Sequence, residues 1–116
     1  MKHNYRMWIL GLIFLTSLII CQTTFASSDA LKFNERLMEL LPPGETLELL
    51  KTAKDKGNLG MEGGYYDFGK GVCQSLSEGM DKKTLLEDNL YQFFGKELSD
   101  VIYEAAIDTL CPQFKK

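Results

Sequence analysis

The chain has 116 residues, 45% of them hydrophobic, and a formal net charge of −3, as is usual for a single small globular domain. Its only histidine, His3, and its only tryptophan, Trp8, lie in the first 26 residues. Those 26 residues also contain two of the 13 basic side chains, Lys2 and Arg6, and no acidic ones. The rest of the chain therefore has 11 basic and 16 acidic side chains, a formal net charge of −5. A chain without histidine lacks Ser-His-Asp and Cys-His nucleophiles and His-ligated zinc, and its negative charge disfavours nucleic acid and anionic lipid as partners.

Residues 1–26 have the pattern of an export signal. Two basic residues precede an apolar stretch from Trp8 to Ile20, and Ala26 ends the segment with a small side chain. The stretch is too short and wrongly flanked for a good membrane span. We therefore predict cleavage after Ala26 and a secreted or periplasmic location. A retained N-terminal anchor and a lipoprotein cut at Cys21 are the alternatives.

Cleavage would leave two cysteines, Cys73 and Cys111, in the remaining 90 residues. In an oxidising compartment the simplest outcome is one disulfide between them. Such a bridge stabilises by ~4 kcal/mol through the restricted unfolded chain, a large contribution for so small a domain. Two free buried thiols are the alternative.

The first two predicted elements of the mature chain are helices. Residues 29–41 carry apolar side chains at i, i+4, i+7 and i+8 from Phe33, with Ser28 or Asp29 as the cap and Pro42-Pro43-Gly44 as the stop. We treat residues 27–44 as an N-terminal helix and turn, and 45–116 as the disulfide-linked helical domain. Its first helix spans residues 45–56 and ends at Gly57.

A loop and the clearest helix of the chain follow. Residues 57–64 include four glycines and form the segment that we expect to be most flexible. Residues 65–78 then place Phe68, Gly69, Val72 and Cys73 on one face, which we predict to be the core face. Glycine at 69 costs ~1 kcal/mol of helix propensity, so we expect a neighbouring helix to approach closely there.

Two more helices complete the chain, one from Asp81 to Phe94 and one from Ser99 or Asp100 onward, with Gly95 between them. Because Pro112 disfavours helical geometry at the residue before it, we predict a break near Leu110 that turns Cys111 inward. No alternating strand pattern of useful length is present. The predicted fold is all-α, a small bundle of four to five short helices joined by one disulfide.

A longer motif suggests a family. Gly69, Cys73, Leu76 and Gly79 give Gly-x-x-x-Cys-x-x-Leu-x-x-Gly, and the last helix ends in Cys111-Pro112. The pattern resembles the domain-of-unknown-function family numbered seven-hundred-thirty-two, which consists of small exported bacterial proteins with a helical domain and a paired Cys…Cys-Pro. The resemblance implies the fold and export, and it implies no activity.

Other candidate sites have weaker signals. Residues 64–70 spell G-x-x-x-x-G-K, but Gly71 replaces the Ser or Thr of a phosphate-binding loop and no strand precedes the motif. Carboxylates such as Glu87, Asp88, Asp100, Glu104 and Asp108 fall on polar helix faces, where a solvated surface is expected. We predict no catalytic residue, metal or cofactor.

We expect most aromatic side chains to pack in the core: Tyr65, Tyr66, Phe68, Tyr91, Phe93, Phe94 and Tyr103. Tyr65 and Tyr66 adjoin the glycine-rich loop and are our candidate contacts for a partner or a ligand. The predicted function is an exported, non-enzymatic module that binds a protein or envelope component. A small apolar-ligand carrier and an envelope acid-stress or folding helper are the alternatives, and the partner and oligomeric state stay open.

Overall fold

The computed structural model describes residues 27–115, so the predicted signal peptide lies outside the described residues. Within 27–115 the fold is all-α, as predicted, and no β-strand is present. The elements are α1 (Ser28–Leu40), α2 (Glu45–Asp55), α3 (Gly64–Ser77), α4 (Lys82–Leu85), a π-helical turn (Leu86–Leu90), α5 (Tyr91–Thr109) and a 3₁₀ turn (Pro112–Phe114). In this part of the chain no helix has the length and hydropathy needed to cross a membrane.

Helix α1 is an integral part of the core. Its cap is Ser27, whose Oγ accepts a hydrogen bond from the Ala30 amide at 3.2 Å, rather than the predicted Ser28 or Asp29. Ala30, Phe33 and Leu37 are fully buried, and α1 packs against α2, α3 and α5. Residues 27–44 therefore share one core with the rest of the domain.

The middle of the glycine-rich loop is fixed to α1. The Asn34 side-chain amide donates a hydrogen bond to the Leu59 carbonyl at 2.6 Å, and the Ser27 amide donates to the Gly60 carbonyl at 2.8 Å. Leu59 is itself buried in the core. These contacts anchor a loop that its glycine content predicts to be the most flexible segment.

The close approach predicted at Gly69 is present, and Phe33 of α1 makes it. A Cβ at position 69 would lie 2.7 Å from Phe33 Cε2, 2.9 Å from Phe33 Cζ and 3.2 Å from Leu110 Cδ1. Glycine at 69 therefore lets the Phe33 ring lie directly on the backbone of α3, and this contact sets how closely α1 and α3 pack.

A disulfide joins α3 to the end of α5. Cys73 and Cys111 are bonded, with their Cα atoms 5.8 Å apart. Helix α5 ends at Thr109, and Cys111 has φ −142° and ψ 64°, so the chain leaves helical geometry where Pro112 predicts it. This turn buries Cys111 and confirms the expected inward rotation of its side chain.

The segment between α4 and α5 departs from regular α-helix at two places. Asp81 caps α4 by accepting a hydrogen bond from the Thr84 amide at 2.8 Å, as predicted. The π-helical turn Leu86–Leu90 then replaces α-helical geometry for five residues. Gly95 has φ 77° and ψ 173°, a conformation that glycine alone adopts readily, and helical geometry resumes directly after it rather than at Ser99.

Two alanine substitutions in α3 test the Gly69 contact. Gly69→Ala should lower stability by ~1–3 kcal/mol, because Phe33 is fully buried and has no room to move away from the new methyl group. Gly71→Ala is the matched control, since nothing lies within 4 Å of a Cβ at position 71. It should stabilise by up to ~1 kcal/mol through helix propensity alone.

Thermal unfolding followed by circular dichroism measures both variants. Opposite signs of the two shifts in Tm are the expected result. A Gly69→Ala variant as stable as Gly71→Ala would show that α1 does not pack on α3 in this way.

Candidate functional site

Four aromatic rings form a cluster on the surface, which we call the aromatic patch: Tyr65 and Phe68 of α3, and Phe93 and Phe94 just before Gly95. The Phe68 and Phe94 rings meet edge to face with centroids 4.7 Å apart. Phe93 lies 6.5 Å from Phe68 and 6.4 Å from Phe94. The exposed fraction is 74% for Phe93 and 40% for Phe68, so the cluster presents apolar surface to solvent.

The prediction that Phe68 and Phe93 pack in the core is wrong, and the backbone explains why. Phe68 packs on Phe94 of α5 on one side only and keeps 40% of its surface exposed. Phe93 follows the π-helical turn, whose i→i+5 hydrogen bonds rotate later residues away from the face that α-helical spacing predicts. Leu86 and Leu90 within that turn are buried as expected.

The structure separates the two tyrosines that we singled out. Tyr65 is partly buried and its ring lies 5.9 Å from that of Phe94, so it belongs to the aromatic patch. Tyr66 is buried and packs 6.1 Å from the Phe33 ring, with the Lys70 ammonium 4.8 Å above its own ring. Tyr66 is therefore a core residue and is not accessible to a partner.

A separate groove of about 840 Å³ lies between the end of α3, α4, α5 and the 3₁₀ turn. Leu76, Leu86 and Ile107 supply apolar lining, and lysines and carboxylates supply the rest. The volume is within the range of small-molecule sites. Nothing in the sequence pattern predicts this groove, because its walls come from five elements, the π-helical turn included, that only the fold brings together.

Two of the four carboxylates that line the groove, Asp100 and Asp108, form ion pairs. Asp100 accepts hydrogen bonds from the Tyr91 hydroxyl at 2.7 Å and from Lys96 Nζ at 2.9 Å. Burial would raise the pKa of Asp100, but these two bonds outweigh it and hold that pKa below its ordinary value. A general acid needs the opposite shift, toward neutral pH, so Asp100 is suited to structure rather than to proton transfer.

Asp108 links three parts of the chain. Arg36 Nε of α1 and Lys115 Nζ of the C-terminal segment each donate a hydrogen bond to it at 2.9 Å, and its side chain is only 11% exposed. The bond from Lys115, with that from Arg36, lowers the pKa of Asp108 against the opposing effect of burial. From the sequence we expected Asp108 on a solvated polar face. Its ion pair with Arg36 was not predicted, because a contact between distant segments leaves no local sequence pattern.

The other candidate residues from the sequence lie in regular helix or on the exposed surface. The G-x-x-x-x-G-K residues form the first two turns of α3, and in the part of the chain that the structure describes no strand precedes them as one would in a phosphate-binding loop. Glu87, Asp88 and Glu104 are exposed. Across residues 27–115, no three His, Cys, Asp or Glu side chains converge on a point that could hold a metal ion.

No protein-family model matches the chain, and no curated protein or solved structure matches it either. The family resemblance based on Gly69, Cys73 and Cys111-Pro112 therefore stays a prediction.

Neutralising Asp108 tests the link between α1 and the C-terminal segment. A folded-state pKa below the unfolded value of ~3.9 means that this carboxylate stabilises the fold above that pH and that the contribution is lost as the pH falls through the lowered pKa. Asp108→Asn should reduce stability at pH 7 by roughly 1–2 kcal/mol, since both cationic partners are partly solvated. The difference from the unmodified chain should shrink as the pH falls below about 4.

Glu104→Gln provides the matched control, because Glu104 is an exposed carboxylate on the same helix. Urea unfolding at several pH values between neutral and acidic compares the three chains. An Asp108→Asn difference that is zero at pH 7, or that persists unchanged in acid, would contradict the assigned ion pair.

Proposed function

We propose that this chain is an exported, non-enzymatic helical module that binds a protein or another envelope component through its aromatic patch. The observation that carries the proposal is the exposure of Phe93 and Phe68 within a contiguous cluster of rings. Aromatic side chains dominate the binding energy of many interfaces, and an exposed cluster of them is a typical mark of a contact surface.

Export is supported by the apolar N-terminal sequence and by the disulfide between Cys73 and Cys111. Disulfides persist mainly in oxidising compartments outside the cytoplasm. The same features fit our proposal that the chain belongs to the exported family that its motif resembles. The non-enzymatic assignment is supported by the ion pairs that Asp100 and Asp108 form.

The packing around Tyr66 and the exposure of Phe93 give less support to the two alternative functions, an apolar-ligand carrier and an acid-stress or folding helper. A carrier with its ligand beside Tyr66 would need space where the Phe33 ring packs. An acid-stress or folding helper would need apolar surface that appears when carboxylates are protonated. Phe93 and Phe68 are exposed without such a change, which favours a constitutive binding surface.

Removing the most exposed ring tests the proposal. The exported chain, Phe93→Ser and Leu49→Ser are each immobilised and incubated with a solubilised envelope fraction, and bound proteins and lipids are identified by mass spectrometry. Leu49 is the matched control because it is an exposed apolar residue, 61% accessible, on α2 and outside the aromatic patch. Phe93→Ser should reduce recovery of the partner by at least about tenfold, and Leu49→Ser should not.

Thermal unfolding verifies that both variants are folded. Recovery of nothing above background by the unmodified chain would contradict the proposed function. Equal recovery by Phe93→Ser would show that the binding surface lies elsewhere.

A further inference from the structure

The groove at the end of α3 has the composition of a small-molecule site, and it is separate from the surface of the proposed function. The four rings of the aromatic patch lie outside its lining. Its walls combine aliphatic side chains with aromatic rings: Leu76, Leu86, Tyr91, Tyr103, Ile107 and Phe114. The volume of about 840 Å³ leaves room for a ligand with an apolar body.

Two of these rings already hold an ammonium group against one face. Lys82 Nζ lies 5.0 Å from the centroid of the Tyr103 ring, and Lys96 Nζ lies 6.0 Å from the centroid of the Tyr91 ring. A cation at such a distance is attracted by the negative face of the π system. The groove therefore presents ring faces that a cation can reach.

The two lysines differ in how firmly they are held. Lys96 Nζ is also paired with the Asp100 carboxylate at 2.9 Å, so two contacts fix its place. Lys82 forms no ion pair with another residue of 27–115 and rests on the Tyr103 ring. A single cation–π contact at an exposed site is weak, so a ligand cation with further apolar contacts can displace Lys82 from that ring.

The charges of the groove favour a cation over an anion. Helix α5 lines it with Asp100, Glu104 and Asp108, whose spacing of four residues places them on one face. Asp100 and Asp108 have cationic partners, whereas Glu104 between them pairs with no other residue of 27–115. Its carboxylate, next to Tyr103 in the sequence, can pair with an incoming cation and would repel an anion.

We propose that this groove binds a small organic cation, an alkylated ammonium ion with an apolar body. The ammonium group takes the place of Lys82 on the Tyr103 ring and pairs with Glu104. The apolar body lies against the aliphatic lining that includes Leu76 and Ile107. An alkylated ammonium is less strongly hydrated than the ammonium of lysine, so it gives up less solvation when it reaches a ring face.

Three probes that share one octyl chain test the proposal: octyltrimethylammonium, octanol and octanoate. The protein is purified from the periplasm or medium with isotopic labelling, and its amide resonances are followed by NMR during titration with each probe. Octyltrimethylammonium should give saturable shifts at the end of α3, in α4 and in the second half of α5. It should bind about tenfold more tightly than octanol, and octanoate should bind most weakly.

Two pairs of variants locate the cation. Lys82→Ala should raise the affinity for octyltrimethylammonium about threefold relative to Lys83→Ala, because each removes one positive charge but only Lys82 lies on the Tyr103 ring. Glu104→Gln should lower that affinity about threefold relative to Glu97→Gln, because Glu97 is exposed on the same helix and lies outside the groove. The amide spectra also report whether each variant is folded.

Each of the following results would overturn the proposal. Octyltrimethylammonium could give no saturable shifts, or octanol could bind equally well, which would show that the groove does not recognise the charge. Tighter binding of octanoate, weakened in Lys82→Ala, would assign the groove to anions. Equal affinities of Lys82→Ala and Lys83→Ala would show that the cation does not replace Lys82. Phe93→Ser should leave the affinity unchanged, and shifts that this variant abolishes would place the binding on the aromatic patch instead.

Discussion

The Cys73–Cys111 disulfide is the constraint on which the rest of the structure depends. It ties the middle of α3 to the residue that follows α5, across 38 positions of sequence. Closing a loop of that length restricts the unfolded chain enough to stabilise the fold by ~4 kcal/mol. A domain of about 90 residues is otherwise only marginally stable, so this single bond is comparable with its whole free energy of unfolding.

The surface follows from the same constraint. With α3 held on α5, Phe33 of α1 packs on Gly69 and fills the interior beside Tyr66. Phe68, the neighbour of Gly69 on α3, meets Phe94 just before Gly95. After the π-helical turn, Phe94 packs against the edge of the core, whereas Phe93 is left exposed. Interior packing and the exposed aromatic patch are therefore two consequences of one arrangement of α3 and α5.

Local physical rules were sufficient to predict much of this fold. Apolar periodicity located α1, α2 and α3 to within one or two residues, but it placed the start of the last helix at Ser99 although helical geometry resumes directly after Gly95. The effect of Pro112 on the preceding residue predicted the inward turn of Cys111. The lack of a side chain at Gly69 predicted a close helix approach. Each of these inferences needs only neighbouring residues and the geometry of one helix.

The candidate site was less predictable because it depends on departures from regular helix and on contacts between distant segments. A fixed 3.6-residue period cannot anticipate the turn at Leu86–Leu90, and it therefore placed Phe93 in the core. The glycine count of the loop could not reveal that Asn34 anchors Leu59. The pairing of Arg36 with Asp108 joins residues 72 positions apart, for which a single sequence carries no signal.

The most direct test of this account is peptide mapping of the exported protein without reduction, after free thiols have been alkylated. The account predicts one linked pair of peptides, containing Cys73 and Cys111, whose mass is two hydrogens below the sum of the separate peptides. Recovery of both cysteines in alkylated, unlinked peptides would contradict the bond that holds α3 on α5.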